Sequence, residues 1–480
     1  MHRMLLPAII ISLAGCGSES AAPGSGTAIS LSISSQTPPK GESGTGSASN
    51  SVSGTDPQKL TESPQATAVQ QLIQRASAAV AAGSTSIAIE SLSQGIGITP
   101  ENAELFRMRA DVYVMQQEMA NARADYSTAI RLQPENSNLY NVRGYFLMSQ
   151  GLTKEATADF EKSLQLDPQN AAACNNRGLI SLGEQNYDQA VEYFNRAVDA
   201  DRKHADAWNN RGYVRMKQKN YAQALEDVQQ AIRIREDYTT AWNNCGLIHM
   251  QLEDYAAAEK AFSRLIELSP MDARWFNHRR AARLKLEHFA DAQNDAQQID
   301  WLNGLTELSR MAANNASSPA VWIRRGQHLM NGSQYGAAIQ DFSRALSVSP
   351  GNPDALTGRA VALMHTGDLQ KAMQDCDESI VSGSSAKALS VRGDLWLALK
   401  NYDQAIADFE EASRFDDKVA EAYELRAGRY RETNEPEKAE ADLKKAQEIR
   451  AALNGTLPRD EAASTPPAPF PDSAAPSKTE

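Results

Sequence analysis

Cysteine is scarce in this sequence of 480 residues, and its four copies lie far apart, at Cys16, Cys174, Cys245 and Cys376. This spacing excludes both a dense disulfide framework and the closely spaced ligand pairs of a zinc site. The last three are predicted to be small core residues, because free cysteine packs as a small hydrophobe.

The signatures of catalysis are also missing. The histidines after His2 are scattered singly, without the His-Glu-x-x-His spacing of a zinc hydrolase. There is no glycine-rich loop between a strand and a helix, which excludes the usual phosphate-binding motifs. We therefore expect no enzyme activity, no cofactor, no metal and no small-molecule substrate.

Positive charge is in deficit, with 48 Lys and Arg against 60 Asp and Glu and a formal net charge of −12. A protein with a net negative charge is not expected to have nucleic acid or an anionic membrane surface as its main partner. The acidity mostly indicates a soluble protein.

The N-terminus carries a short apolar run from Met4 to Ile11 behind His2 and Arg3. The run is too short to span a bilayer, and with small residues after it indicates a signal peptide over residues 1–15. The next motif reads Leu13, Ala14, Gly15 and Cys16. It resembles the lipobox of bacterial lipoproteins, which implies cleavage before Cys16 and lipid attachment to that cysteine.

The same resemblance predicts where the protein is located in the cell. Gly17, not Asp, follows the cysteine, which favours the outer membrane, on its periplasmic side, within a bacterial cell envelope. The alternative is a cytosolic protein whose start is apolar by accident.

Two segments flank the middle of the chain and are predicted to be disordered. Residues 16–68 are rich in Ser, Gly and Thr and form a tether, whose roughly fifty residues would span about 40 Å. Residues 454–480 form a tail rich in Pro and Ala.

The middle of the chain repeats every 34 residues. The shift superimposes a small-residue column at Ala110, Gly144, Gly178, Gly212 and Gly246, a second at Ala122, Ala156, Ala190, Ala224 and Ala258, and a third at Pro100, Pro134, Pro168 and Pro270. Apolar residues at helical spacing within each period predict two helices, and the small columns predict that the two helices approach closely. Each proline should stop a second helix, since it lacks a donor and disfavours helix before it.

The period, the small columns, a leading aromatic residue and the closing proline resemble the tetratricopeptide repeat. The resemblance implies an all-α superhelix of about eleven hairpins, with seven in residues 69–306 and four in residues 319–453. Residues 307–318 do not fit the period and are predicted to be an irregular joint. Extra helix from Leu302 to Ala313 is the alternative for part of that segment.

Charged residues also recur. Arginine precedes the small residue of the first helix at Arg109, Arg143, Arg211, Arg279, Arg325, Arg359, Arg392 and Arg426, and sixteen residues later stand Asp125, Asp159, Asp227, Asp295, Asp341, Asp375, Asp408 and Asp442. A step of sixteen residues leads to the partner helix, so each pair is predicted to form a structural ion pair inside its hairpin. In one repeat Cys245 replaces the arginine and Ala261 replaces the aspartate, so both charges of the pair are absent together.

Asparagine forms two further columns on the first helices, at Asn141, Asn175, Asn209, Asn243 and Asn277, and at Asn176, Asn210 and Asn244. Such amides could hydrogen-bond the backbone of an extended peptide, with Tyr145, Tyr213 and Met216 selecting its side chains. The second column resembles the asparagine ladder of the nucleocytoplasmic glycosyltransferase that modifies Ser and Thr. The alternative is that these amides solvate an idle face or cap local backbone.

A comparison with the carboxylate clamp of chaperone-binding tetratricopeptide repeats gives only a partial match. Arg274 and His278 agree with it, but Asn209 and Tyr213 replace an expected Lys and Asn. We therefore predict an adaptor or scaffold, lipid-anchored in the envelope, that binds a partner protein in a concave groove. The alternative is a self-associating structural protein whose groove holds its own tail.

Overall fold

A computed structural model of the protein describes residues 64–383 and 385–455. In these two ranges the chain forms 22 helices and no strand. This confirms the predicted fold class, an all-α chain of the α-α superhelix type that is built from repeated helical hairpins. The predicted signal peptide, Cys16, the tether up to residue 63 and the tail from residue 456 lie outside the described residues.

The chain divides into two compact units. The first comprises the described residues up to 270 together with 278–289, and the second comprises 271–277 and the described residues from 290 onward. The helices of the first unit are α1 (Pro64–Ala81), α2 (Thr85–Ile98), α3 (Ala103–Met115), α4 (Met119–Leu132), α5 (Ser137–Ser149), α6 (Thr153–Leu166), α7 (Ala171–Gly183), α8 (Tyr187–Ala200), α9 (Ala205–Lys217), α10 (Tyr221–Ile234), α11 (Thr239–Gln251) and α12 (Tyr255–Leu268).

Two helices have residues in both units, namely α13 (Ala273–Lys285) and α14 (Phe289–Asn314). The remaining helices belong to the second unit and are α15 (Pro319–Asn331), α16 (Tyr335–Val348), α17 (Pro353–Thr366), α18 (Leu369–Val381), α19 (Ser385–Ala398), α20 (Tyr402–Glu411), α21 (Asp417–Glu432) and α22 (Pro436–Leu453).

Short turns produce the hairpins. Only three residues separate α9 from α10, and Lys219 in that turn takes a left-handed backbone with φ of 64°. Between hairpins, proline ends the second helix as the sequence predicts, because α2, α4, α6 and α12 each stop two residues before one. The prolines concerned are Pro100, Pro134, Pro168 and Pro270.

The small columns lie where the two helices of a hairpin touch. A Cβ atom placed on Gly178 would lie 2.5 Å from Cε1 of Phe194, which is fully buried on the second helix. Contacts this short are not tolerated, so the aromatic ring of the second helix requires glycine opposite it. The columns are therefore a packing requirement.

Hairpins stack in a regular order within each unit. In the first unit α5, α7, α9 and α11 contact one another in sequence, and each second helix contacts the first helix of the following hairpin. In the second unit α15, α17 and α19 repeat the pattern. Each unit thus has a layer of first helices beside a layer of second helices.

Two predicted boundaries differ from the structure. The tether was expected to reach residue 68, but α1 begins at Pro64, because proline is well tolerated at the first position of a helix. The irregular joint over 307–318 is wrong for most of its length, since α14 continues to Asn314. Leu305 and Ala312 pack in the hydrophobic clusters that include residues of α15 to α17, which gives this stretch a buried helical face.

Candidate binding surface

The recurring arginine and aspartate meet inside their hairpins. In the hairpin of α9 and α10, Nε of Arg211 donates to Oδ2 of Asp227 at 2.9 Å, and an Nη atom donates to Oδ1 at 2.6 Å. The same two-bond geometry joins Arg109 to Asp125, Arg143 to Asp159, Arg325 to Asp341, Arg359 to Asp375, Arg392 to Asp408, and Arg426 to Asp442.

A third contact, which the sequence analysis missed, links each pair to the preceding hairpin. The other Nη atom of Arg211 donates to Oδ1 of Asn195 on α8 at 2.8 Å. Serines at the same place accept from the arginine in other hairpins, namely Ser93, Ser127 and Ser343. They stand sixteen residues before the arginine, so the spacing could have revealed them. We call the three-way arrangement of arginine, aspartate and this acceptor the Arg–Asp clasp.

The clasp is largely removed from water. Asp227 is 1% exposed and Arg211 is 9% exposed, and the guanidinium lies over the ring of Trp208 at 4.6 Å. Hydrogen bonding to its aspartate raises the pKa of Arg143 in the same way that it does for Arg359. Because a buried ion pair gains little net stability over apolar packing, the clasp serves mainly to fix how hairpins align.

Three described hairpins depart from this pattern, and in that of α1 and α2 the two positions carry Arg75 and Ser91. Arg177 lies over the ring of Tyr193 at 5.1 Å and is 3.4 Å from a carboxylate oxygen of Glu161. In the hairpin of α11 and α12, Cys245 and Ala261 replace the arginine and the aspartate. Burial raises the pKa of the Cys245 thiol to about 11, so it stays protonated near neutral pH.

The asparagine columns bind each other across hairpins. The side-chain amide of Asn176 donates to Asn141 at 2.9 Å, that of Asn210 to Asn175 at 3.0 Å, and that of Asn244 to Asn209 at 2.8 Å. Asn209 is 2% exposed and Asn244 is 4% exposed. These amides hold neighbouring first helices together, so the structure does not present them as an open row for a peptide backbone.

The remaining members of the columns differ in exposure. Asn277 is exposed, whereas Asn243 is half-buried and its Oδ1 has no hydrogen-bond partner among the described residues. The interpretation of the asparagines as a continuous peptide ladder is therefore corrected: most of them are interior links between helices. The physical reason is that two of them face each other wherever first helices pack side by side.

A different set of side chains lies on the free side of the first helices. Residues two and five positions after the clasp position are turned about 200° and 140° around the helix from it, which places them on the side of the first helix opposite the clasp. In the first unit these positions carry Tyr145, Leu179, Tyr213 and Leu247, and Met148, Leu182, Met216 and Met250. All are half-buried except the buried Met148. We call these eight residues the inner face.

One carboxylate lies near the inner face. Oδ1 of Asp206 accepts hydrogen bonds from the hydroxyl of Tyr238 at 2.7 Å and from Arg235 at 2.9 Å. Burial, and next the charge of Asp206, raise the pKa of Tyr145. Since Tyr145 is on α5 and Asp206 is on α9, the inner face is close to residues two hairpins away. The Asp206 carboxylate already has a cationic partner in Arg235.

One of the two residues that agree with the carboxylate clamp, Arg274, lies on the surface. Arg274 is exposed, and its guanidinium donates to Asp272 at 2.6 Å. Within the described residues no group of three or more His, Cys, Asp or Glu is placed to hold a metal ion. No helix in the described ranges is long and apolar enough to cross a membrane.

Comparison with known proteins gives relatives of partial coverage. A DnaJ homolog subfamily C member 7 homolog from Dictyostelium discoideum is 25% identical over 203 residues, which are 38% of this chain and 36% of that protein. The chain therefore spans about a third of that relative's length. The solved structure of Pseudomonas aeruginosa pilF is 22% identical, with a TM-score of 0.40, and the match covers 44% of this chain and 97% of pilF.

A second solved structure, the first tetratricopeptide repeat domain of Spaghetti (RPAP3) bound to the HSP90 peptide SRMEEVD, is 26% identical with a TM-score of 0.25. This match covers 25% of this chain and 96% of that one.

A family model described as tetratricopeptide repeat matches residues 73–137, 120–171, 175–239 and 323–387, and another with the same description matches 215–281. Together they cover more than half of the sequence, so the chain belongs to the tetratricopeptide repeat family.

Proposed function

We propose that this protein is an adaptor, without enzyme activity, that holds an extended segment of a partner protein against the inner face of its first unit. Tetratricopeptide repeat proteins generally mediate protein–protein interaction, and the proposal assigns that role to particular residues. The observation that carries it is the run of half-buried Tyr, Leu and Met side chains on the free side of α5, α7, α9 and α11.

The chemistry of the inner face favours a peptide with apolar side chains. Tyrosine combines a large apolar ring with a polar tip, and methionine adapts its shape to different partners. A row of such residues leaves apolar area exposed to water, and covering it with a partner provides the free energy of binding. The asparagines contribute indirectly, because their mutual hydrogen bonds keep the first helices in register beneath this row.

The same proposal includes an anchor in the bacterial cell envelope. Cys16 would carry the lipid, and residues 17–63 would separate the repeats from the membrane, with the outer membrane as the favoured site. Labelling cells with a radioactive fatty acid tests this part. Wild type should incorporate label and Cys16→Ser should not, and equal labelling of both would exclude the lipid at that cysteine.

The binding surface is tested by affinity capture with the full chain from extracts of its own cells. Tyr213→Ala with Leu247→Ala removes apolar area from the inner face, and Gln223→Ala with Glu226→Ala is the matched control on the exposed side of α10. We expect the same partner with wild type and control, and its loss with the inner-face variant. Circular dichroism should show equal helicity in all three proteins.

Two outcomes would contradict the proposal. If the inner-face variant captures the partner as well as wild type does, the partner binds elsewhere on the chain. If wild type captures only further copies of itself, the self-associating alternative is favoured and the adaptor role is wrong.

A further inference from the structure

The hairpin of α11 and α12, in which both charged residues of the Arg–Asp clasp are replaced, borders an open cavity of about 310 Å³. The cavity lies between α10, α11 and α12, and its lining includes Gln229, Cys245 and Ala261. These three are the clasp positions of this hairpin, since Cys245 replaces the arginine, Ala261 the aspartate and Gln229 the third acceptor. The cavity is therefore the space that a guanidinium and its carboxylate fill in neighbouring hairpins.

The flat surface that supports the guanidinium elsewhere is retained here. The indole N–H of Trp242 donates to the carbonyl of Glu236 at 2.9 Å, as that of Trp208 does to Arg202 at 3.0 Å. Both tryptophans stand three residues before the clasp position, and the Arg211 guanidinium lies over Trp208. A planar group that enters the cavity can therefore stack on Trp242.

The charge of the cavity excludes another guanidinium. No acidic residue lines it, while Arg233 and Lys260 both do. Both cations are exposed, and neither forms an ion pair in the described part of the chain. A cation placed on Trp242 would thus be repelled by two positive charges. The aspartate that neutralises the guanidinium in other hairpins is absent here. A planar group with a negative charge has the complementary chemistry.

We propose that this cavity is a binding site for a small aromatic ring that carries a carboxylate. The ring stacks on Trp242 in place of the missing guanidinium, and the carboxylate meets Arg233 and Lys260 at the opening. A volume of about 310 Å³ is at the lower end of ligand sites and suits one ring with a short chain. This site is separate from the inner face, because it lies on the side of the second helices.

Isothermal titration calorimetry of the full chain with 3-phenylpropionate tests the proposal. Wild type should bind one molecule saturably, whereas cyclohexanepropionate, with the same charge but no flat ring, should bind more weakly. A second arm uses an acetylated tripeptide that ends in phenylalanine with a free carboxylate. Tighter binding of the free acid assigns the site to small molecules, and tighter binding of the peptide assigns it to a protein terminus.

The decisive variant combines Cys245→Arg with Ala261→Asp. It installs the clasp found in other hairpins and fills the cavity, so affinity for 3-phenylpropionate should fall by about tenfold or more while the protein stays folded. Lys260→Glu should weaken binding about fivefold at low salt, and the loss should shrink as salt is added. Unchanged binding by the double variant would overturn the proposal, and so would the absence of saturable binding to wild type.

A matched control comes from the neighbouring hairpin. Arg211→Cys with Asp227→Ala and Arg215→His opens the equivalent space beside Trp208 and also removes the second cation that contacts Asp227, but Asp199 and Glu226 occupy the places of the two rim cations there. The stoichiometry should remain one, because an acidic rim repels the carboxylate. A second molecule bound with equal affinity would contradict the role assigned to rim charge.

Discussion

Removal of a clasp arginine should destabilise the first unit by an amount that depends on what else neutralises its aspartate. Arg143→Met leaves Asp159, which is buried and has no other cationic partner within the described residues. Arg211→Met leaves Asp227, which still accepts a bond from Arg215 at 2.7 Å. An uncompensated buried charge costs about 3–5 kcal/mol, so we expect that loss for Arg143→Met and about half of it for Arg211→Met.

A second substitution should reverse most of the loss. Arg143→Met with Asp159→Leu replaces the whole buried pair by apolar groups, and such exchanges are often close to neutral. Only the hydrogen bond to Ser127 then remains unreplaced. We therefore expect the double variant to be within about 1–2 kcal/mol of wild type, from the value of one such bond.

The assay is urea unfolding followed by circular dichroism, combined with amide hydrogen exchange in α5 and α6. Hydrogen exchange is needed because stacked repeats can unfold locally, so one global midpoint does not locate the damage. Arg123→Met is the matched control, since its ion pair with Glu155 is about half exposed and should change stability by less than about 0.5 kcal/mol. Equal losses in the single and double variants, or a greater loss for Arg211→Met, would refute the reasoning.

Three further predictions follow from the packing. Gly178→Ala should cost about 1–3 kcal/mol in urea unfolding because its new Cβ meets an aromatic ring, whereas Gly97→Ala, with open space around it, should not destabilise. Asn244→Ala should cost about 1–3 kcal/mol by leaving a buried amide oxygen unsatisfied, whereas the exposed Asn277→Ala should be neutral. Burial raises the pKa of Cys376 to about 12, so the unfolded chain loses this thiol proton first as pH rises above about 9. Between pH 8 and pH 10.5 wild type should therefore lose about 2 kcal/mol more stability than Cys376→Ala, and an equal loss in both would exclude the buried thiol as the cause.

The hairpins and the charged pairs could be predicted because they depend on positions along one or two helices. A step of sixteen residues places Arg143 opposite Asp159 whenever both belong to the same hairpin, whatever the rest of the chain does. The helical extension of α14 was given only as an alternative to an irregular joint, because the period is broken there. Its ends are decided by packing against later helices, which the repeat pattern does not report.

The asparagines show where the pattern was informative about position but not about role. The 34-residue spacing placed them correctly on the first helices, yet an amide that bonds a peptide and one that bonds a neighbouring helix have the same spacing. Asn176 and Asn141 are 35 residues apart in sequence, and their contact depends on how closely α5 and α7 approach. That distance is a property of stacked hairpins.

The sequence by itself determined the hairpins, their period, their small contact residues and the place where one clasp is missing, because these follow from local helix geometry and residue size. Only the tertiary structure decided what lies between hairpins. It placed the asparagines against one another, left most of the inner-face side chains half-buried, and left a cavity where Cys245 and Ala261 stand. The physical reason is that these features depend on distances between separate hairpins, which are set by packing.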